Sequence, residues 1–372
     1  MGEFMKAIRH VIATLSLLIV FSALSFAQQI DVRSRVALIE KMIAEEMEKN
    51  SVPGLAVAIA QDGKIVYSKG FGYSDLENQT PFTAQTVSRI GSVSKSFAAL
   101  SIMQLVEQGK INLDAEVQTY VPTFPRKQAP ITIRQLLCHQ GGIRHYKGNG
   151  EMLSNVRYAD VESALAIFKD DPLVNEPGEK YSYTTYGYNL LSRAVEAASG
   201  ERFTDYVERH IIDPLAMKQT YFDDRFKIIP RRAHFYTRAD KTSPVTNVPQ
   251  VDQSNKWGGG GLLSTVGDLV KYAAAYDGDK LAKRDTIAQM FTSQKTRDGK
   301  PTGYGFGWSI ATDQGKLRIE HSGGSTGATA ILTKYPEQGL IIAALVNCDH
   351  YGAPQIKIRI AKILFEGSSQ TQ

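Results

Sequence analysis

The chain has 372 residues, 42% of them hydrophobic and 22% charged, with a formal net charge of +5. Such a composition supports a sizeable core and excludes a disordered or collagenous chain. The charge is modest and no basic block with interleaved aromatics is present, so a nucleic-acid partner is not expected.

The chain opens with Met1-Gly2-Glu3-Phe4 ahead of Met5, which reads as a cloning remnant. Lys6 and Arg9, the apolar run Val11–Phe21 and Ser25-Phe26-Ala27 then give a positive start, a short apolar core and a small-x-small exit. That is the pattern of a secretory signal peptide. The run is short for a bilayer span of about 20 residues. Residues 1–27 are therefore expected to be removed, leaving no stable membrane span and a periplasmic or secreted chain.

Asp31 to Asn50 reads as an amphipathic helix with Val36, Ile39, Met42, Ile43 and Met47 on one face. Leu55–Ala60 and Lys64–Tyr67 read as strands joined by Asp62-Gly63, a hairpin signal, with Gly70–Tyr73 as a glycine-broken continuation. A short apolar stretch, Thr86–Ile90, feeds Gly91-Ser92-Val93-Ser94-Lys95. Phe97, Leu100, Met103, Leu105 and Val106 then recur with helical spacing and stop at Gly109. Ser92 and Lys95, three apart, share a helical face. A serine in the first turn has free N–H groups and the positive dipole end beside it. A lysine next to it can take its proton if burial or a cationic neighbour lowers its pKa.

The punctuated stretch from Ile111 to Pro125 reads as a crossing between domains. Thr132 caps a short helix through Cys138, and further helices are expected over Ala159–Phe168, Tyr186–Ala198 and Thr204–Ile212. Four glycines, 258 to 261, follow. Thr265-Val266-Gly267-Asp268 resembles a capping box with Asp in place of Glu and opens a helix to Tyr276. Tyr304–Trp308, Leu317–Glu320, Gly327–Tyr335 and Leu340–Val346 read as strands, and Ile356–Phe365 as a closing helix. The expected fold is α+β: an antiparallel sheet flanked by helices, with a helix-rich insertion. Residues 28–125 and 255–372 form the α/β domain and 126–254 the helix-rich one. Cys138 and Cys348 make no disulfide framework and are expected as two separate buried thiols.

Two other stretches can complete a serine site. In Tyr181-Ser182-Tyr183-Thr184-Thr185 a tyrosine at the mouth of a helix can act as general base if a cation lowers its pKa; aromatic packing is the plainer alternative. In His321-Ser322-Gly323-Gly324, at the end of a strand, paired glycines let backbone approach a ligand, and one N–H there with that of Ser92 can form an oxyanion hole.

With Ser92-Val93-Ser94-Lys95, these segments in this order resemble the serine β-lactamase and penicillin-binding family, especially its class C β-lactamases and related esterases. The resemblance covers most of residues 35–365. His139-Gln140-Gly141-Gly142-Ile143-Arg144-His145-Tyr146 and Trp257-Gly258-Gly259-Gly260-Gly261 are similar to a narrower branch, the bacterial relatives of the mitochondrial serine β-lactamase-like protein. The resemblance implies the β-lactamase/transpeptidase fold, acylation of Ser92, and Lys95 and Tyr183 as proton carriers. It further implies an oxyanion hole of Ser92 and Gly324, and substrate contacts from Thr185, His321, Ser322 and Gly323. Thr185 stands where most relatives have Asn, and His321 where lactamases have Lys, so chemistry is expected to be kept and substrate to differ.

The expected protein is thus a secreted serine hydrolase acting on small esters, amides or peptides, with weak or no β-lactamase activity. Two alternatives remain: a genuine class C-like β-lactamase, or a non-catalytic binding protein that self-assembles on the same scaffold. The narrower branch includes a member that polymerises, so the resemblance also implies self-association into a homo-oligomer. Gly323-Gly324-Ser325-Thr326-Gly327 also fits the nucleophile elbow of α/β-hydrolases, but an apparent strand follows where that motif needs a helix. Cys138, His139 and His145, or Cys348 and His350, make no four-ligand set of known spacing, and no phosphate or dinucleotide loop is present. No metal or cofactor is expected. The roles of Arg144 and His145 are left open.

Overall fold

The computed structural model describes residues 30–366, so the expected signal segment lies outside the described residues. Asp31 caps the first helix, α1 (Val32–Asn50), its carboxylate accepting the Ser34 amide. The chain continues as β1 (Gly54–Gln61) and turns at Asp62-Gly63, with φ of 50° and 73°. It returns as β2 (Lys64–Asp75). Two successive positive φ values are what a two-residue hairpin needs and what Asp-Gly supplies. β2 is one continuous strand, where the glycines had suggested a break.

The main sheet also holds β3 (Thr80–Pro81), β4 (Ser309–Asp313), β5 (Lys316–Ser325), β6 (Ala328–Tyr335) and β7 (Leu340–Val346). Its order is β3-β2-β1-β7-β6-β5-β4, antiparallel throughout. β1 pairs with β7 from Leu55 opposite Val346 to Gln61 opposite Leu340, which joins the two ends of the chain in one sheet. The other helices that matter here are α2 (Ser94–Glu107), α3 (Ile133–Leu137), α4 (Tyr186–Ser199), α5 (Val266–Ala274) and α6 (Ala353–Glu366).

Side chains alternate across a strand with period two. Leu55, Val57 and Ile59 face Ile39 and Ile43 of α1 and Ile356, Ile360 and Leu364 of α6. Each such side chain, fully buried, contributes about 1.5–3 kcal/mol. Ala56, Ala58 and Ala60 face the opposite way, with Ala343 and Leu345, into the core shared with Leu269, Val270 and Ala273 of α5. The same core runs on through Phe97 and Leu100 of α2 to Ile133 and Leu136 of α3 and Tyr186 and Leu190 of α4.

Several local expectations change. Tyr304–Trp308 is a loop, and the strand begins at Ser309. Gly307 takes φ 78° with its Cα against helix α2, where an added Cβ would lie 2.7 Å from the Ala99 methyl, so this segment packs Phe306 and Trp308 inward and makes only an isolated bridge, Tyr304 to Ser309. The helix expected over Ala159–Phe168 is a short α-turn, Val161–Ala164, then a 3₁₀ turn, Leu165–Ile167; Asp160 caps it by accepting the Ser163 amide. Thr204–Ile212 divides into Phe203–Val207 and a π-helical turn, Glu208–Ile212. Thr132 and Gln135 close both halves of a capping box. At Thr265 only the hydroxyl half forms; the shorter Asp268 side chain turns to the Gln219 amide and Lys271. Both cysteines are buried and unpaired. Among the described residues no helix is long and apolar enough to cross a membrane.

Candidate active site

Helix α2 is buried without interruption from Ser94 to Met103. Ser92 sits just ahead of it, in a 3₁₀ turn over Gly91–Val93. The three-residue spacing still brings the pair together: Lys95 Nζ is 3.0 Å from Ser92 Oγ.

Lys95 is fully buried. Its Nζ lies 2.6 Å from the Gly259 carbonyl and 3.2 Å from Thr185 Oγ1, and no carboxylate is paired with it among the described residues. Burial, and secondly the positive charge of Lys256, hold the amine well below the usual lysine range. An uncharged amine has two hydrogens and one lone pair. The carbonyl and Thr185 take the hydrogens, which leaves the lone pair for the Ser92 hydroxyl.

Tyr183 comes from the loop ahead of α4. Its ring lies 4.8 Å from Lys95 Nζ, and it lines the same cavity as Ser92. Burial pushes its phenol up, against the smaller opposing effect of the nearby Ser92 hydroxyl. The expectation of a tyrosine made acidic by a cation is thereby reversed. Lys95 and Tyr183 are both withdrawn from water without an opposite charge, and each is driven to its neutral form.

The strand wall is set by glycine. A Cβ on Gly323 would lie 1.9 Å from the Ile90 carbonyl oxygen, and one on Gly91, at φ 49°, would lie 2.6 Å from that of Gly324. The turn carrying Ser92 and the end of β5 therefore run backbone against backbone. The Ser92 and Gly324 amides come together at a cavity of about 460 Å³.

Of the residues singled out from sequence, Ser92, Tyr183, Thr185, Ser322 and Gly324 line that cavity. Lys95 lies beneath it. Gly323 packs against the Ile90 backbone and does not line it. His321 does not line it either, contrary to the expectation of a substrate contact. Its ring is buried, with Nδ1 2.6 Å from the Ser322 carbonyl and Nε2 2.9 Å from the Tyr304 hydroxyl. A carbonyl only accepts, so Nδ1 carries the hydrogen and Nε2 accepts from Tyr304. Burial, with Lys95 as the next cause, pushes His321 down to about 3. A neutral ring with both nitrogens engaged has nothing to offer a carboxylate. Period two explains it: Ser322 and Gly324 face the cavity, so His321 and Gly323 face inward.

Sequence reasoning left the role of His145 open and assigned none to Tyr146, Met152 and Lys256, all of which also line the cavity. Burial pushes His145 down to about 4. Its Nδ1 accepts the Thr185 amide at 3.2 Å, so its hydrogen is on Nε2. Arg144 holds this segment: buried, it donates to Asp171 at 2.6 Å and Glu151 at 2.8 Å, and its carbonyl accepts the Thr184 hydroxyl at 2.6 Å. The only signal was position, since His145 and Tyr146 end one family phrase and Lys256 immediately precedes another.

Ser325 ends β5 and pairs with Ala328 across a turn into β6, so the strand–turn–helix of an elbow is absent. His350 lies instead against the Ser51 carbonyl, at 3.3 Å. A larger cavity, about 820 Å³, opens beside Phe235. Its arginines are already matched: Arg89 and Arg232 pair with Asp223, and Arg225 with Asp252.

Residues 39–364 match the family model described as Beta-lactamase. The mitochondrial serine beta-lactamase-like protein of Homo sapiens is 30% identical over 416 residues, covering 83% of this chain and 76% of that protein. Penicillin-binding protein 4* of Bacillus subtilis (strain 168) is 29% identical, covering 81% and 69%. Among solved structures, the octameric penicillin-binding protein homologue from Pyrococcus abyssi superposes with a TM-score of 0.79 at 32% identity, covering 89% of this chain and 77% of that one. The D-amino acid amidase from Ochrobactrum anthropi shares the fold, with a TM-score of 0.78 at 23% identity over 90% and 100% of the two chains.

Proposed function

The chain is a serine hydrolase of the Beta-lactamase family, and on that premise we propose that it cleaves small esters or amides through an acyl-enzyme on Ser92 and is a poor β-lactamase. The observation that carries the proposal is the 3.0 Å contact between Ser92 Oγ and a buried Lys95 amine whose charged form burial disfavours. Ser92 Oγ attacks the substrate carbonyl as its proton passes to Lys95 Nζ. The developing oxyanion accepts from the Ser92 and Gly324 amides, whose backbones border the same cavity. The tetrahedral adduct then expels the leaving group, which receives the proton from Lys95 through the Tyr183 hydroxyl. Water entering by the same route, activated by Lys95, releases the acid and restores Ser92. Thr185 holds the Lys95 amine, His145 holds Thr185, and His321 with Tyr304 braces the strand wall.

Tyr183→Phe keeps the ring and deletes only the hydroxyl. A positioned proton carrier contributes about 10²–10⁴-fold, and Lys95 already reaches Ser92 directly. A loss near 10² in kcat, with unchanged thermal unfolding, is therefore expected. Unchanged kinetics would reduce Tyr183 to packing.

Poor β-lactamase activity is supported by the strand wall. The family lysine position holds a neutral, inward-facing His321. A lactam carboxylate loses one charge-assisted hydrogen bond there, worth roughly 1.5–3 kcal/mol, or about ten- to hundredfold. Nitrocefin should turn over at least tenfold more slowly, in kcat/KM, than a short-chain p-nitrophenyl ester. Equal rates would remove the proposed substrate preference.

The octamer described for the Pyrococcus abyssi protein supports self-association of this chain as well. A purely structural assembly protein would not react with a fluorophosphonate, whereas the proposed enzyme is labelled at Ser92. Export to the periplasm or beyond rests on the pattern of residues 1–27 alone.

A further inference from the structure

We propose that Lys256 is the anion anchor of this cavity, so that the preferred substrates are acyclic esters or amides carrying a carboxylate. The proposal rests on the serine-hydrolase reading of the same cavity and names its substrate class.

Lys256 is 5% exposed and lines the cavity that Ser92 opens into. Its Nζ donates to one acceptor, the Met152 carbonyl at 2.9 Å, and lies 5.4 Å from the centre of the Tyr146 ring. Among the described residues no carboxylate comes within ion-pair distance of it. An ammonium has three hydrogens, so two remain unassigned. A buried cation without a partner is costly, and such charges are usually paired. A substrate carboxylate would supply the missing partner at the point where the reacting carbonyl is also bound.

The groups facing Lys256 are consistent with this. Arg89 disfavours its charge and Asp223 favours it, both from a distance. Lys95 and His145 also feel it, and both are driven neutral by burial. The one carboxylate on the cavity wall, Asp349, already accepts the Gly327 amide at 3.0 Å. Burial brings the Lys256 amine down to about 8, so it is still mostly a cation at pH 7. The anchor lines the cavity with Tyr146 and Met152 and comes from a different segment than the strand that carries Ser322 and Gly324. A flexible chain can turn a carboxylate towards it. A fused lactam holds its carboxylate rigidly relative to the scissile carbonyl, so the weak β-lactamase activity expected above is unaffected.

The test compares p-nitrophenyl acetate with mono-p-nitrophenyl succinate and with 4-acetoxybenzoate, which place a carboxylate on the acyl side or the leaving side. For the wild type, one of the two anionic esters should exceed the neutral ester by about tenfold or more in kcat/KM. Lys256→Met should erase that ratio and Lys256→Arg should keep it. The ratio should also fall as pH rises through about 8, where the amine loses its charge. Turnover of all three esters without an anionic preference overturns the anchor alone. So does a preference that survives Lys256→Met, or an equal loss on all three esters in both variants. Absence of any ester hydrolysis instead overturns the hydrolase reading beneath it.

Discussion

Ser92→Ala should reduce kcat by about 10⁶, the order found when a serine nucleophile is deleted from a preorganised site, while Ser325→Ala should stay within about tenfold. Both serines line the same cavity, so the comparison separates a nucleophile from a wall residue. Ser92 has a base 3.0 Å away in Lys95 and a second hydroxyl in Tyr183. Ser325 is at a hairpin end, paired with Ala328, and among the described residues no lysine or histidine hydrogen-bonds its hydroxyl. The measurement is single-turnover hydrolysis of a p-nitrophenyl ester, with mass spectrometry of the trapped acyl-enzyme. Loss of activity in Ser325→Ala with a working Ser92→Ala would reverse the assignment.

Lys95→Arg should cost close to 10⁴-fold, the upper end of what a general base contributes. Arginine keeps a cation and hydrogen-bond donors but cannot release its proton in a protein. A role that needs only charge would survive the change, and a base would not. The wild-type pH profile gives an independent reading. The reactive form of Lys95 is the neutral amine, so kcat/KM must rise with pH through its titration. Burial and Lys256 move that titration well below the usual lysine value, so the rise and the plateau must come well below the pH at which an ordinary lysine titrates. A rise centred near 10, as for an ordinary lysine, would show that the buried amine is not the base.

Much of this molecule is dictated by local chemistry. The Ser92–Lys95 contact follows from a three-residue spacing on a helical turn. The Asp62-Gly63 hairpin follows from backbone that tolerates positive φ, and the short helix after Thr132 from a complete capping box. Gly323 reads as letting backbone approach a ligand; the lack of a side chain is indeed needed there, but for close packing against the Ile90 backbone. These are interactions between residues close in sequence, or consequences of a missing side chain, and one chain of letters carries them.

The charge states and the rest of the cavity lining required the tertiary structure. Whether Lys95 or Tyr183 is the acidic partner depends on how much water each has lost, and burial is a property of the assembled core. His321 was assigned to substrate from its place in a motif. One step of strand register turns it inward onto Tyr304 and leaves Ser322 and Gly324 at the cavity. Lys256 carries no motif of its own. It reaches Ser92's cavity because the turn that follows it, Trp257–Gly260, packs against α2 and α4, which brings Lys256, 164 residues along the chain from Ser92, close to it in space. A cation acts through distance in space, and that distance exists only once the chain has folded.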